Sequence, residues 1–95
     1  MSRKTVPFNQ SGISKLPNDK PVVYKILTPG GTNNYTGKAK RGRVQERIAE
    51  HLPGAKDPVP GAKVVIEQVP TVAEAHAKEQ RVIVRSQPKY NKQAR

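Results

Sequence analysis

The chain has 95 residues, 18 Lys and Arg against 7 Asp and Glu, and a formal net charge of +11; it has room for one domain and one modest core, not for separate cofactor and substrate domains. Such positive charge favours a polyanionic partner, nucleic acid ahead of an acidic membrane or an acidic protein, because each Lys or Arg that neutralises a phosphate releases a condensed counterion. The absence of cysteine excludes disulfides, zinc ribbons and thiol nucleophiles; no apolar run reaches the roughly 20 residues of a membrane span, and residues 1–10 lack the apolar stretch of a secretory signal.

Residues 1–20 carry Pro7, Gly12, Pro17, Asn18 and Asp19 among scattered apolar residues, which predicts an irregular basic N-terminal arm. Its Arg3, Lys4, Lys15 and Lys20 are either phosphate contacts or plain solvated charges. From Val22 to Thr28 a β-branched and aromatic run has strand length, Pro29 to Asn33 form a turn, and Asn34 to Gly37 return as a second strand, giving a hairpin with a tyrosine on each arm. A basic loop from Lys38 to Arg43 comes next. Val44, Ile48 and Leu52 then mark an apolar helix stripe ending at Pro53 and Gly54, with Arg47 and His51 on a common flank beside it.

After a loop at Pro58, Pro60 and Gly61, the run from Ala62 to Val69 alternates as a third strand. Thr71 and Glu74 have the spacing of a capping box, opening a helix that runs to about Val84 and stops before Pro88. The predicted architecture is α/β, a sheet of about three strands covered by two or more helices. Residues 21–92 are the expected domain, and residues 93–95 a basic tail.

Glu79 stands out chemically. It interrupts the apolar stripe Val72, Ala75, Val82, where a carboxylate is costly unless paired. Three readings fit it: an ion pair with Arg47 or Lys38, a stripe edge open to solvent, or a ligand for a hard cation such as Mg²⁺. The other acids, Asp19, Glu46, Glu50, Asp57, Glu67 and Glu74, show no clustered spacing. A two-metal site, which wants several converging carboxylates, is therefore disfavoured. His51 and His76 form no HExxH pattern, and no GxSxG, Walker or GxGxxG motif occurs, so zinc hydrolase, acyl-transfer and nucleotide-hydrolysis readings have no support.

The ordered set Val22-Val23-Tyr24, Tyr35-Thr36-Gly37-Lys38, Arg47 with His51, Glu79 and Pro88-Lys89-Tyr90-Asn91 resembles the GIY-YIG nuclease family. Val22-Val23-Tyr24 stands where that family has Gly-Ile-Tyr, and Tyr35-Thr36-Gly37 where it has Tyr-Ile-Gly. The run from Tyr35 to Lys40 is especially similar to the incision nuclease module of bacterial excision repair, and Arg47 to His51 to the helix of mobile-element members. The likeness spans residues 21–92. The first glycine is replaced by Val22, and the loop Lys40 to Arg43 is slightly longer than the family's.

The resemblance implies a GIY-YIG-like domain with a single-metal phosphodiesterase site. Glu79 would ligate one Mg²⁺ or Mn²⁺, and Tyr24 or Tyr35 would act as general base, its phenolate favoured by Lys38, the metal and the positive field. Arg47 would clamp the pentacovalent phosphate, His51 would orient a tyrosine or handle a proton, and Asn91 would brace the site. Lys40, Arg41, Arg43, Arg81, Arg85, Lys89 and Lys92 are the expected backbone contacts, with low sequence specificity; Tyr90 is expected as packing and His76 as surface. The expected function is an endonuclease on DNA ahead of RNA, acting in a cytoplasm, either in repair or branch processing or as a toxin domain partnered by an immunity protein. The alternative is a non-catalytic basic nucleic-acid-binding module on the same fold; an RNA-binding ribosomal-type protein is a third reading.

Overall fold

A computed structural model describes residues 3–56, 58–88 and 90. The elements run β1 (Arg3–Pro7), α1 (Gln10–Ile13), β2 (Val22–Leu27), β3 (Asn33–Ala39), α2 (Val44–Ala49), β4 (Lys63–Gln68) and α3 (Val72–Ser86). The four strands form one sheet in the order β1-β4-β2-β3, and every neighbouring pair is antiparallel.

The hairpin forms as predicted. Its turn closes through Thr28, whose amide donates to the Thr32 carbonyl at 2.9 Å and whose hydroxyl accepts from the Thr32 amide at 3.0 Å. Gly31 takes φ +95 there, a conformation that costs a glycine little. Both faces of β2 are covered, so its residues are apolar nearly throughout. Val22, Tyr24 and Ile26 join Val44 and Ile48 of α2 and Val64 and Ile66 of β4 in the main core. Val23, on the opposite face, packs with Val69 and Ala75 of α3. Full burial of each such aliphatic side chain contributes about 1.5–3 kcal/mol.

The N-terminal segment departs from the expected irregular arm. β1 pairs with β4 from Arg3 opposite Glu67 to Pro7 opposite Lys63, and adds a fourth strand to the expected three. Val6 and Phe8 bury themselves in the main core, an alternation too short to outweigh the prolines in the sequence reading. Asn9 caps α1 by accepting the Gly12 amide at 2.7 Å. The packed unit thus includes residues 3–20 as well as the hairpin, α2, β4 and α3.

α3 opens with the predicted cap: the Thr71 hydroxyl accepts from the Glu74 amide at 3.1 Å. The helix extends to Ser86, two residues past expectation. It ends where Gln87 turns left-handed at φ 45 and its amide reaches the Ile83 carbonyl, a helix-closing geometry. Pro88 is fully buried, and the Tyr90 amide donates to the Asn34 carbonyl at 2.9 Å. Tyr90 is thereby attached to β3, and its ring packs on the main core. Among the described residues no helix is long and apolar enough to cross a membrane.

Candidate active site

The two tyrosines meet because of the hairpin register. Tyr24 lies opposite Gly37 and Ile26 opposite Tyr35, so the tyrosines are diagonal neighbours on one face, with ring centroids 6.1 Å apart. Gly37 makes this possible: a Cβ there would sit 2.6 Å from both Cζ and Oη of Tyr24 and 3.0 Å from the Tyr35 ring. The glycine of the Tyr-Thr-Gly run is therefore a seat for the Tyr24 ring.

Tyr24 is 0% exposed, and its hydroxyl lies 2.9 Å from Nε2 of His51. The bond removes the cost of an unpaired buried hydroxyl, about 1–3 kcal/mol. His51 is itself 3% exposed, and its ring is 4.5 Å from that of Tyr35. Arg47 and His51, expected on a common flank, differ in burial and in partners. α2 ends at Ala49; the Glu50 amide is shared between the carbonyls of Glu46 and Arg47, both at 3.3 Å, and the amides of His51 and Leu52 reach back three residues, to Ile48 and Ala49. That tighter winding accompanies the burial of His51 against Tyr24, while the Arg47 side chain stays 46% exposed and ion-pairs with Glu50 at 3.5 Å.

Burial pushes the Tyr24 phenol well above its ordinary value; Tyr35 adds to the rise, Arg47 opposes it, and Glu79 and Glu50 raise it further. The expectation that the positive surroundings favour phenolate is reversed at Tyr24, where loss of solvent outweighs the nearby guanidinium.

Lys38 and Glu79 meet on the other face. Lys38 lies opposite Val23 in the hairpin, on the side that α3 covers, and its Nζ is 3.2 Å from Oε1 of Glu79. Of the readings open for Glu79, the partner is Lys38. The carboxylate side chain is 12% exposed, and the exposed His76 approaches the same oxygen at 4.0 Å. A cavity of about 220 Å³ lined by Lys38, Lys40, Arg43, Arg47, Val72 and Ala75 joins the α2 side to the α3 side. β3 is an edge strand, so residues from both faces of the sheet gather around it.

No cluster of three or more His, Cys, Asp or Glu that could hold a metal occurs among the described residues. One carboxylate nevertheless suits Mg²⁺, which keeps most of its waters and binds through one or two carboxylates plus phosphate oxygens. Lys38 and His76 both approach through Oε1, and no buried side-chain oxygen among the described residues lacks a partner. A lone carboxylate of this kind fits a hard cation held mainly by water and substrate.

The basic residues divide by position. Lys40 and Arg43 line the cavity, Arg43 also pairing with Glu46 at 2.7 Å, and Arg41 is exposed beside them. Arg81 and Arg85 lie elsewhere: at 3.6 residues per turn they are about 160° and about 120° around the helix from Glu79. Their neighbour on that flank, Lys78, pairs with Glu67 at 3.1 Å. Asn91, Lys89 and Lys92 lie outside the described residues. Two contributors escaped the sequence reading: Gly37 as the seat for Tyr24, hidden within the motif, and Asn18, whose contacts to α2 are 26 and 27 residues distant in sequence.

The four-stranded sheet with its paired tyrosines, the helix after the hairpin and the carboxylate on the last helix match the GIY-YIG fold and the resemblance read from the ordered motif. Among solved structures it is similar to the GIY-YIG N-terminal endonuclease domain of UvrC from Thermotoga maritima bound to magnesium as its catalytic divalent cation, with TM-score 0.62 and 27% identity over 82% of this chain and 93% of that one. Two cation-bound point mutants of the same domain align at TM-score 0.62: an asparagine-to-alanine form at 27% identity, covering 82% and 92% of the two chains, and a tyrosine-to-phenylalanine form at 26%, covering 82% and 93%. No family model matches the sequence, and no curated protein does.

Proposed function

We propose that this chain is a divalent-metal-dependent endonuclease that hydrolyses phosphodiester bonds of nucleic acid, DNA before RNA, with low sequence specificity and one Mg²⁺ or Mn²⁺ ion. The observation that carries this reading is Glu79, a mostly buried carboxylate beside Lys38 in a fold whose relative binds a catalytic divalent cation. Glu79 would hold the ion. When bound, the ion polarises the scissile phosphate and offsets charge on the departing 3′ oxygen.

Tyr35 is the better placed general base. It is partly exposed, whereas Tyr24 is sealed from solvent, and a base must touch the attacking water. The water oxygen would bond to phosphorus as its proton passes to the Tyr35 phenolate, and the bond from phosphorus to the 3′ oxygen would break with its electron pair leaving on that oxygen, which then takes a proton from solvent to become a hydroxyl. Tyr24 and His51, hydrogen-bonded to one another, fix the platform against which Tyr35 packs. Arg47 would leave its weak pair with Glu50 to meet the charge that develops on the pentacovalent phosphate. Lys38, Lys40, Arg41 and Arg43 would steer the backbone toward β3; Arg81 and Arg85, on the other flank of α3, would contact backbone further away. Asn91, Lys89 and Lys92 complete the proposed set, as a brace and two backbone contacts.

The experiment is incubation of supercoiled plasmid and of single-stranded RNA with the protein in Mg²⁺, in Mn²⁺ and in chelator. Metal-dependent nicking, faster on DNA, is expected. Binding without cleavage under every condition would return the chain to a non-catalytic basic module. Its use, in repair, in branch processing or as a toxin domain with an immunity protein, is decided by the neighbouring gene.

A further inference from the structure

α2 carries Arg47 and leads into His51, yet it begins without a cap of its own. Its N-cap residue is Arg43, at φ −119 and ψ 8, which makes no side-chain capping hydrogen bond. Helix starts leave four amides unpaired, and two of them are served from a distant loop. Oδ1 of Asn18 accepts from the Val44 amide at 2.9 Å and from the Gln45 amide at 3.2 Å. The Asn18 carbonyl accepts from the Gly42 amide at 2.7 Å, so the same residue also holds the end of the basic loop. Gln45 returns the connection, its side-chain amide donating to the carbonyls of Leu16 at 2.7 Å and Ser14 at 3.2 Å.

We infer that Asn18 is a positioning residue for the nuclease site, a remote cap that sets the start of α2 and hence the placement of Arg47 and the loop Lys40 to Arg43. The inference rests on the proposed nuclease reading. Lys40, Arg43 and Arg47 line one cavity and lie on the loop and helix that Asn18 ties down. A clamp on phosphate must be held in place before the transition state to be effective, and small misplacements lower rates sharply. The segment before the hairpin is on this account part of the catalytic unit.

The test compares three variants of the whole chain. Asn18→Ala removes the acceptor, and Asn18→Asp keeps it with a charge that suits a helix start. Asn9→Ala removes the equivalent cap of α1, which carries no site residue. In single-turnover cleavage at saturating DNA, Asn18→Ala is expected to be slower by roughly tenfold or more with little change in the DNA concentration for half-maximal rate. Asn18→Asp should restore most of the rate, and Asn9→Ala should cleave at the wild-type rate. A wild-type rate in Asn18→Ala, equal slowing in Asn9→Ala, or no rescue by Asn18→Asp would each overturn the inference. If the wild type does not cleave, the nuclease reading fails by itself, and amide exchange decides the positioning role. Exchange faster by roughly fivefold or more at Val44 and Gln45 in Asn18→Ala, confined to residues 42–51, supports it; unchanged or uniformly faster exchange overturns it.

Discussion

Tyr24 shows how one residue can be apparent in sequence and still be misread in role. Its place in the ordered motif was readable, but its sealed environment depends on the later packing of His51 and Gly37 around it. Because burial raises its phenol, the folded state prefers the protonated form; its contribution to stability is complete below the ordinary tyrosine value of about 10 and is lost as pH rises beyond it. Absorbance titration should therefore show Tyr24 ionising only together with alkaline unfolding, and Tyr24→Phe should unfold less steeply with rising pH. A Tyr24 that titrates normally in the folded chain would contradict its burial. Gly37→Ala is expected to destabilise by about 1–3 kcal/mol, read as a lower urea midpoint, because the added methyl meets the Tyr24 ring at 2.6 Å. Glu79 is legible in sequence as a carboxylate in need of a partner, but helix periodicity cannot choose between Lys38 and Arg47. That choice belongs to the β3 pairing, which puts Lys38 on the α3 side.

At the level of elements, local signals served where they were self-contained. The turn at Pro29 to Asn33, the Thr71 cap and the alternation after Ala62 each state their geometry within a few residues. β1 has no such statement: its five residues become a strand only because β4 offers an edge. The joint between them is held by Glu67, which pairs with Arg3 at 3.4 Å and Lys78 at 3.1 Å. Burial acts to raise the Glu67 carboxyl, but hydrogen bonds and charge from Lys78, then Arg3, outweigh it and hold it below the usual range. Its contribution is present above the unfolded carboxylate value, about 4.3, and is lost as pH falls through the lower folded value. Glu67→Gln should therefore narrow the difference in urea midpoint between neutral and acid pH. An unchanged difference would show that the pairing of β1, β4 and α3 does not depend on that charge.

For the molecule as a whole, a net charge of +11 indicated a polyanionic partner without locating it. The fold leaves β3 at the sheet edge, where cations from the loop and α2 gather near the Lys38 and Glu79 pair, and the proposed function puts the partner there. The motif order was legible because the chain is short and its elements follow in sequence; the division of the site between the two sheet faces was not, since strand parity alone does not say which helix covers which face. In the proposed function Glu79 makes this assembly a metal-dependent nuclease. Its most direct test is single-turnover cleavage of a DNA duplex in Mg²⁺ by the wild type and by Glu79→Gln, both verified as folded. A loss of roughly 100-fold or more is expected in the variant with DNA binding retained, whereas equal rates would contradict the role of Glu79.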